Sequence, residues 1–255
     1  MEYRKCTING VSYGLGTTEA AMGALKRQQS QHNKKDIVDE EGLGMEEIIP
    51  GDDSTMSIDQ LEESRKDMFS KQAKLYDNPF VGPNPTFVDP KLFDDLAQDT
   101  TKQSMAITHF YQTLALCHSV IAERPDEENP DSIEYKAQSP DEAALVSTAR
   151  DLGFVFLGRD ANKLLVNIKG EKKEFELLNI LEFNSTRKRM SVIIKPADTD
   201  RIVLLCKGAD SIIYERLCSN FGGQTDLESE QMALRDITSK DLELFANEGK
   251  HTGCI

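Results

Sequence analysis

The sequence has no run approaching the ~18 consecutive apolar residues that a membrane-crossing helix needs. Residues 1–20 carry no apolar core of the kind a secretory leader requires, so the chain as given reads as soluble. It also lacks a CxxC pair. Cys6, Cys117, Cys206, Cys218 and Cys254 are odd in number and widely spaced, which offers neither a zinc site nor a redox dithiol and fits a reducing cytosol. Without a leader, the sequon Asn184-Ser185-Thr186 reads as a chance occurrence. There is no Walker loop, no HExxH and no nucleophile elbow. Gly14-Leu15-Gly16 opens like a dinucleotide loop, but no third glycine follows at the needed spacing. Positive charge is short too: 30 Lys and Arg stand against 44 Asp and Glu, a formal net charge of -14. A field of that sign disfavours broad contact with anionic lipid, and no nucleic-acid partner is expected. Any polyanion must bind at a local basic patch.

What is present divides into stretches of different character. At 255 residues the chain can hold one large domain or two small ones. Tyr3–Ile8 reads as a strand that turns at Asn9-Gly10, a dipeptide favoured in tight hairpins. Residues 14–99 are rich in Gly, Gln, Asp, Glu, Ser and Asn, with apolar residues too sparse to offset the entropy of ordering. They are expected to form an acidic, low-order insertion with short helices near Ile58–Tyr76 and Pro90–Leu96. Asp52-Asp53 and Glu62-Glu63 then read as solvated charge.

Residues 100–255 read as an ordered domain. Phe110, Leu114, Cys117 and Ile121 share one face of a helix expected over Gln103–Ile121. His109 and His118 lie on it without metal-ligand partners and read as ordinary core or surface histidines. Ser139-Pro140-Asp141-Glu142 spells a capping box for a helix from Pro140 to about Leu152, halted by Gly153. Five apolar runs follow, at Phe154–Leu157, Leu164–Ile168, Phe175–Phe183, Met190–Lys195 and Ile202–Cys206. Their connections are too short for parallel crossovers, so they must pair antiparallel. Asp210–Leu217 and Leu227–Asn247 add helices. The expected fold class is α+β, a twisted antiparallel β-sheet flanked by helices.

One stretch suggests chemistry. In EFNSTRKRMSV, Glu182–Val192, an apolar strand delivers Phe183 next to Arg187, Lys188 and Arg189, and the return strand ends on Lys207 and Gly208. Alternate residues Phe175, Leu177, Asn179, Leu181 and Phe183 should share one strand face. An aromatic face beside several cations suits a purine with a phosphate tail. Base stacking on such a ring is typically worth about 1–3 kcal/mol. An open site of this kind should bind with a dissociation constant on the order of a millimolar.

Together with MEYRKCTINGVSYG from Met1, LALCHSV from Leu114, EYKAQSPDEAALVSTARDLGF from Glu134 and LNILEFNSTRKRMSVIIK from Leu178, this stretch resembles the nucleotide-binding domain of type IV P-type ATPases. These are the phospholipid-translocating flippases, and the likeness is to fungal plasma-membrane and endosomal members. The resemblance implies that Phe183 stacks on adenine, Lys207 lines base and ribose, and Lys188 reaches toward phosphate. It also implies that Glu142 contacts the base edge, beside its possible capping role. The implied ligand is ATP with Mg²⁺, the metal being held mainly by a phosphorylation domain. In the whole enzyme, this domain would present ATP to an aspartate there, and phosphoryl transfer would drive lipid from the outer to the cytosolic leaflet. Implied partners are the phosphorylation and actuator domains, an accessory β-subunit, and phospholipid through membrane segments. The implied location is the cytosolic face of plasma, endosomal or Golgi membranes.

The Asp-Lys-Thr-Gly phosphorylation motif is absent, and residues 1–13 would follow it. Turnover by this chain alone is therefore not expected. A competing reading is a non-catalytic, truncated flippase-like interaction module whose acidic insertion recruits a regulator. An independent phosphatase or kinase lacks a nucleophile or metal constellation. The family pattern Glu-Gly-Leu-Arg-Thr-Leu stands here as Glu248-Gly249-Lys250-His251-Thr252-Gly253, so His251 occupies the place of a phosphate-contacting arginine. A frameshift, a misjoined exon boundary or an artificial end accounts for this better than adaptation. His251→Arg is expected to tighten ATP binding in a calorimetric titration, and an unchanged affinity would remove His251 from the site.

Overall fold

A computed structural model describes residues 2–15, 56–125, 128–129, 131–218, 220–247 and 253–255. Residues 16–55, the first part of the expected insertion, and His251 lie outside the described residues. The apolar runs become a five-stranded antiparallel meander: β5 (Phe154–Asp160), β6 (Lys163–Ile168), β7 (Glu171–Leu181), β8 (Arg189–Pro196) and β9 (Val203–Gly208), in that spatial order. The β6–β7 turn is the pair Lys169-Gly170, with φ of 52° and 87°, the left-handed geometry that matches strand twist. The same logic closes the N-terminal hairpin of β1 (Cys6–Ile8) and β2 (Val11–Tyr13), where Asn9 and Gly10 sit at φ 50° and 77°.

The even alternation expected along Phe175–Phe183 does not hold. Leu177 pairs with Ile194 and Asn179 with Ile193, so Leu178 is the extra residue of a β-bulge. Phe175 and Leu177 face the core, but past the bulge Ile180 takes over the inward side while Asn179 and Leu181 turn out. The strand stops at Leu181, which leaves Phe183 in the following loop and 62% exposed.

Helices cover the inward face of this sheet. They include α3 (Lys102–Leu116) and α4 (Pro140–Asp151), which carry Ile107, Tyr111, Leu114, Val146 and Ala149 into the core against Phe154, Val166 and Val192. The helix expected to reach Ile121 ends five residues earlier. Cys117 leaves helical geometry at φ -93° and ψ 75°, and Ile121 opens β3 (Ile121–Glu123), 64% exposed. That strand pairs with β4 (Glu134–Lys136). Two more helices, α5 (Asp210–Tyr214) and α6 (Thr225–Asn247), follow β9.

Residues 56–99 carry the two helices expected there, α1 (Ile58–Leu75) and α2 (Lys91–Leu96). Both are packed. A full capping box starts α1, with Ser57 and Gln60 exchanging side-chain-to-backbone bonds. Its few apolar residues point inward, so Met68 joins Phe87, Leu92, Phe93 and Leu96 in the main core. Polar contacts tie the same stretch to the end of α4, where the Gln72 side-chain amide donates to the Asp151 carbonyl at 3.0 Å and the Tyr76 hydroxyl to that of Leu152 at 2.9 Å. Met68→Ala is therefore expected to lower unfolding stability by about 2–5 kcal/mol in urea. A loss under about 1 kcal/mol would show that α1 adds little to the core.

Candidate functional site

The loop after β7 is shaped by local polar bonds. The Asn184 side-chain carbonyl accepts from the Arg187 amide at 2.7 Å, and its backbone carbonyl accepts from the Lys188 amide at 2.8 Å. This winding forces Lys188 into left-handed backbone geometry, φ 50°. Its carbonyl then accepts from the Ala209 amide at 3.1 Å. Gly208 makes that dock possible, because a Cβ there would stand 2.6 Å from the Lys188 carbonyl oxygen and 2.6 Å from the Arg189 Cβ. On its other side Gly208 exchanges two backbone bonds with Cys254, at 2.9 and 2.8 Å.

The three adjacent cations have different fates. The Arg187 guanidinium donates to the Glu182 carbonyl and that of Arg189 to the Arg187 carbonyl, both at 3.2 Å. Lys188 is exposed, and its ammonium makes no ion pair with a described residue. It is the cation most available to a phosphate.

Glu142 departs from its expected capping role. Ser139 makes no side-chain cap, although Pro140 begins the helix as expected. The Glu142 carboxylate turns instead toward the end of α3, accepting from the Ser119 hydroxyl at 2.7 Å and the Ser119 amide at 3.2 Å. Lys207 Nζ lies 3.4 Å from the same carboxylate. Three donors, one of them charged, outweigh the single amide that a capping box would offer. Burial raises the Glu142 pKa, but the Ser119 hydroxyl, Lys207 and the Ser119 amide together hold it below the ordinary carboxylate value. The carboxylate and the ammonium are both shielded, with side chains 13% and 15% exposed.

Ser119 is positioned by its neighbours. The Cys117 thiol approaches the Leu205 carbonyl at 3.7 Å, seating the end of α3 against β9. The His118 ring accepts from the Val120 amide at Nδ1, 3.1 Å, so Nε2 carries the proton that it shares with the Ala115 carbonyl at 2.9 Å. Phe156 meets the ring edge-on, with centroids 4.5 Å apart.

Glu142, Phe183, Lys188 and Lys207 all line one cleft of about 2340 Å³. The fifth expected member, His251, lies outside the described residues. Sequence reasoning missed Ser119, for which no spacing signal exists. A smaller cavity of about 520 Å³ at the opposite strand ends offers no free charge from its lysines: Lys163 pairs with Glu174 and Lys195 with Asp200, both at 2.8 Å. Among the described residues, no group of three His, Cys, Asp or Glu side chains gathers to hold a metal.

An antiparallel meander backed by helices thus carries, at one end, an exposed ring, a lysine-glycine step and the unpaired ammonium of Lys188. Residues 106–255 match the family model described as P-type ATPase, cytoplasmic domain N. The chain belongs to that family. Over its whole length it is 45% identical to phospholipid-transporting ATPase dnf2 of Schizosaccharomyces pombe and 45% identical to phospholipid-transporting ATPase DNF1 of Saccharomyces cerevisiae. Phospholipid-transporting ATPase IC of Xenopus tropicalis is 35% identical over the same span. The chain covers 16%, 15% and 15% of these relatives' lengths. No helix among the described residues is long and apolar enough to cross a membrane.

The anchoring of His118 has a consequence in acid. Burial, helped by Lys207, lowers its pKa from 6.5 to about 4, against weaker opposing effects of the Ala115 carbonyl and Glu142. Above the unfolded value neither state binds the proton and the folded state keeps its full advantage. As pH falls toward 4 the unfolded chain protonates first, and stability drops by about 3 kcal/mol. His118→Phe is expected to show a shallower fall in urea midpoint between pH 6.5 and 4.5 than the unaltered protein. Equal slopes would contradict the assignment.

Proposed function

We propose that this domain binds ATP in the cleft, with adenine stacked on Phe183, Glu142 at the base edge, Lys207 beside base and ribose, and Lys188 on the phosphates. The observation that carries this reading is the exposed Phe183 ring on the same cleft as a shielded Glu142–Lys207 pair and the free ammonium of Lys188. A purine offers a flat face to the ring and polar edges to the pair, and its phosphate tail extends toward cations. Mg²⁺ would arrive on the phosphates, neutralising charge for phosphoryl transfer. His251 belongs to the same proposal, near the tail.

In a full-length P-type ATPase, the nucleotide held here would be presented to an aspartate of a phosphorylation domain. Actuator and membrane domains would couple the transfer to movement of phospholipid toward the cytosolic leaflet. An accessory subunit and a plasma-membrane or endosomal location complete the proposal. The relatives' names, all phospholipid-transporting ATPases, support the lipid cargo.

The parts of the ligand separate the roles of the residues. Phe183→Ala is expected to weaken both ATP and adenosine by about tenfold or more, the loss of a stacked base. Lys188→Gln should weaken ATP several-fold and leave adenosine unchanged. Amide NMR titration of each variant with both ligands gives the constants. Wild-type affinity in Phe183→Ala would remove the stacking site.

A further inference from the structure

We infer that Ser119 is a positioning residue that sets base selectivity in the cleft, holding the Glu142 carboxylate so that one acceptor site remains open toward a purine amino group. The inference rests on the ATP-binding reading above. A carboxylate offers about four acceptor sites. In Glu142, Oε1 receives the Ser119 amide at 3.2 Å and Lys207 Nζ at 3.4 Å, while Oε2 receives the Ser119 hydroxyl at 2.7 Å. Oε2 keeps a second site, on the carboxylate that lines the cleft.

The chemistry of that site discriminates. The 6-amino group of adenine donates, whereas guanine presents a carbonyl oxygen at the same ring position. Two acceptors facing each other leave both unpaired and repel, so a fixed carboxylate favours adenine. A glutamate free to rotate about its side-chain bonds could withdraw from a guanine carbonyl and forfeit little. Ser119 removes that freedom by gripping both oxygens, and it is itself held. His118 is clamped between the Ala115 carbonyl and the Val120 amide, which fixes the backbone on either side of Ser119. The Ser119 side chain is exposed and contributes nothing to the core, so the bond from its hydroxyl to Glu142, added to the one from its backbone amide, is its visible role.

The hydroxyl also keeps the carboxylate ionised against the cost of burial, alongside Lys207 and the Ser119 amide; His118 is the remaining titratable neighbour. A neutral carboxylic acid could turn its own proton toward a guanine carbonyl and reverse the preference. Position and charge state therefore act in the same direction.

The test uses the complete chain with Ser119→Ala and Ser119→Thr, each titrated calorimetrically with ATP and with GTP. The Glu142 carboxyl is followed separately by NMR against pH in the absence of nucleotide. Ser119→Ala is expected to lose about tenfold of the ATP-over-GTP preference, the usual loss with one hydrogen bond to a charged group. Its Glu142 titration should move to higher pH. Ser119→Thr keeps the hydroxyl and should restore both. An unchanged ATP:GTP ratio in Ser119→Ala, equal weakening of both nucleotides, or failure of threonine to rescue would overturn the inference while leaving ATP binding intact. If the unaltered chain binds no ATP, the parent reading falls and the selectivity claim falls with it. An unshifted Glu142 titration in Ser119→Ala would show independently that the hydroxyl does not hold the carboxylate.

Discussion

Close approach of two backbones at Gly208 organises this end of the molecule. Because that residue has no side chain, the Lys188 carbonyl can reach the Ala209 amide, and the loop carrying Phe183 is pinned to the end of β9. Lys207 precedes the contact in sequence and Lys188 forms its other half, so this bond, with the β8–β9 pairing of Arg189 with Gly208 and Met190 with Lys207, sets the spacing of both lysines. The left-handed backbone of Lys188 is a strained choice for a residue with a side chain, of order 1 kcal/mol or more. The cost is tolerated because the bonds from Asn184 and Ala209 determine the conformation from both sides.

Charge is arranged differently inside the cleft and over the surface. The chain as a whole is strongly acidic, yet Lys188 points out unpaired and Lys207 is shielded against Glu142. A shielded ion pair contributes little net stability, since desolvation of both groups offsets most of their attraction. Its value lies in orientation: each group is held in place by the other, and Ser119 holds the carboxylate from a third direction. The neutral His118 behind Ser119 fits this arrangement, because a second positive charge next to Lys207 would be unfavourable.

Much of this was legible in the chain, and the failures have a common cause. Apolar runs gave away all five strands of the meander, and Asn9-Gly10 marked the separate N-terminal hairpin because few dipeptides accept left-handed geometry twice. The bulge was hidden: in Leu177-Leu178-Asn179-Ile180-Leu181 either apolar neighbour could face inward, and only the partner strand decides. Composition similarly concealed the packing of residues 56–99. Averaged over the stretch, Met68, Phe87, Leu92, Phe93 and Leu96 are few, but nearly every one is spent on the core. For Glu142 a local cap and a contact with the base edge both stood open, and a contact across 23 residues displaced the cap. Local signals identify a residue's options, while tertiary donors choose among them.

The same balance bears on the strength of binding. On the reading proposed here, the base and ribose must compete with Glu142 for Lys207, and the base must seat on a ring open to water. Neither interaction can deliver its full value, so the affinity stays near the weak end of what stacking and two cations allow. Weak holding suits a domain whose nucleotide must reach a reaction centre elsewhere, because tight binding in this cleft would have to be undone before the γ-phosphate could leave. On the same reading, freeing Lys207 from its carboxylate would strengthen its hold on base and ribose but would remove one of the groups that keep Glu142 ionised. On that reading the contact of Glu142 with Lys207 restrains affinity, while Ser119 fixes the acceptor offered to the base.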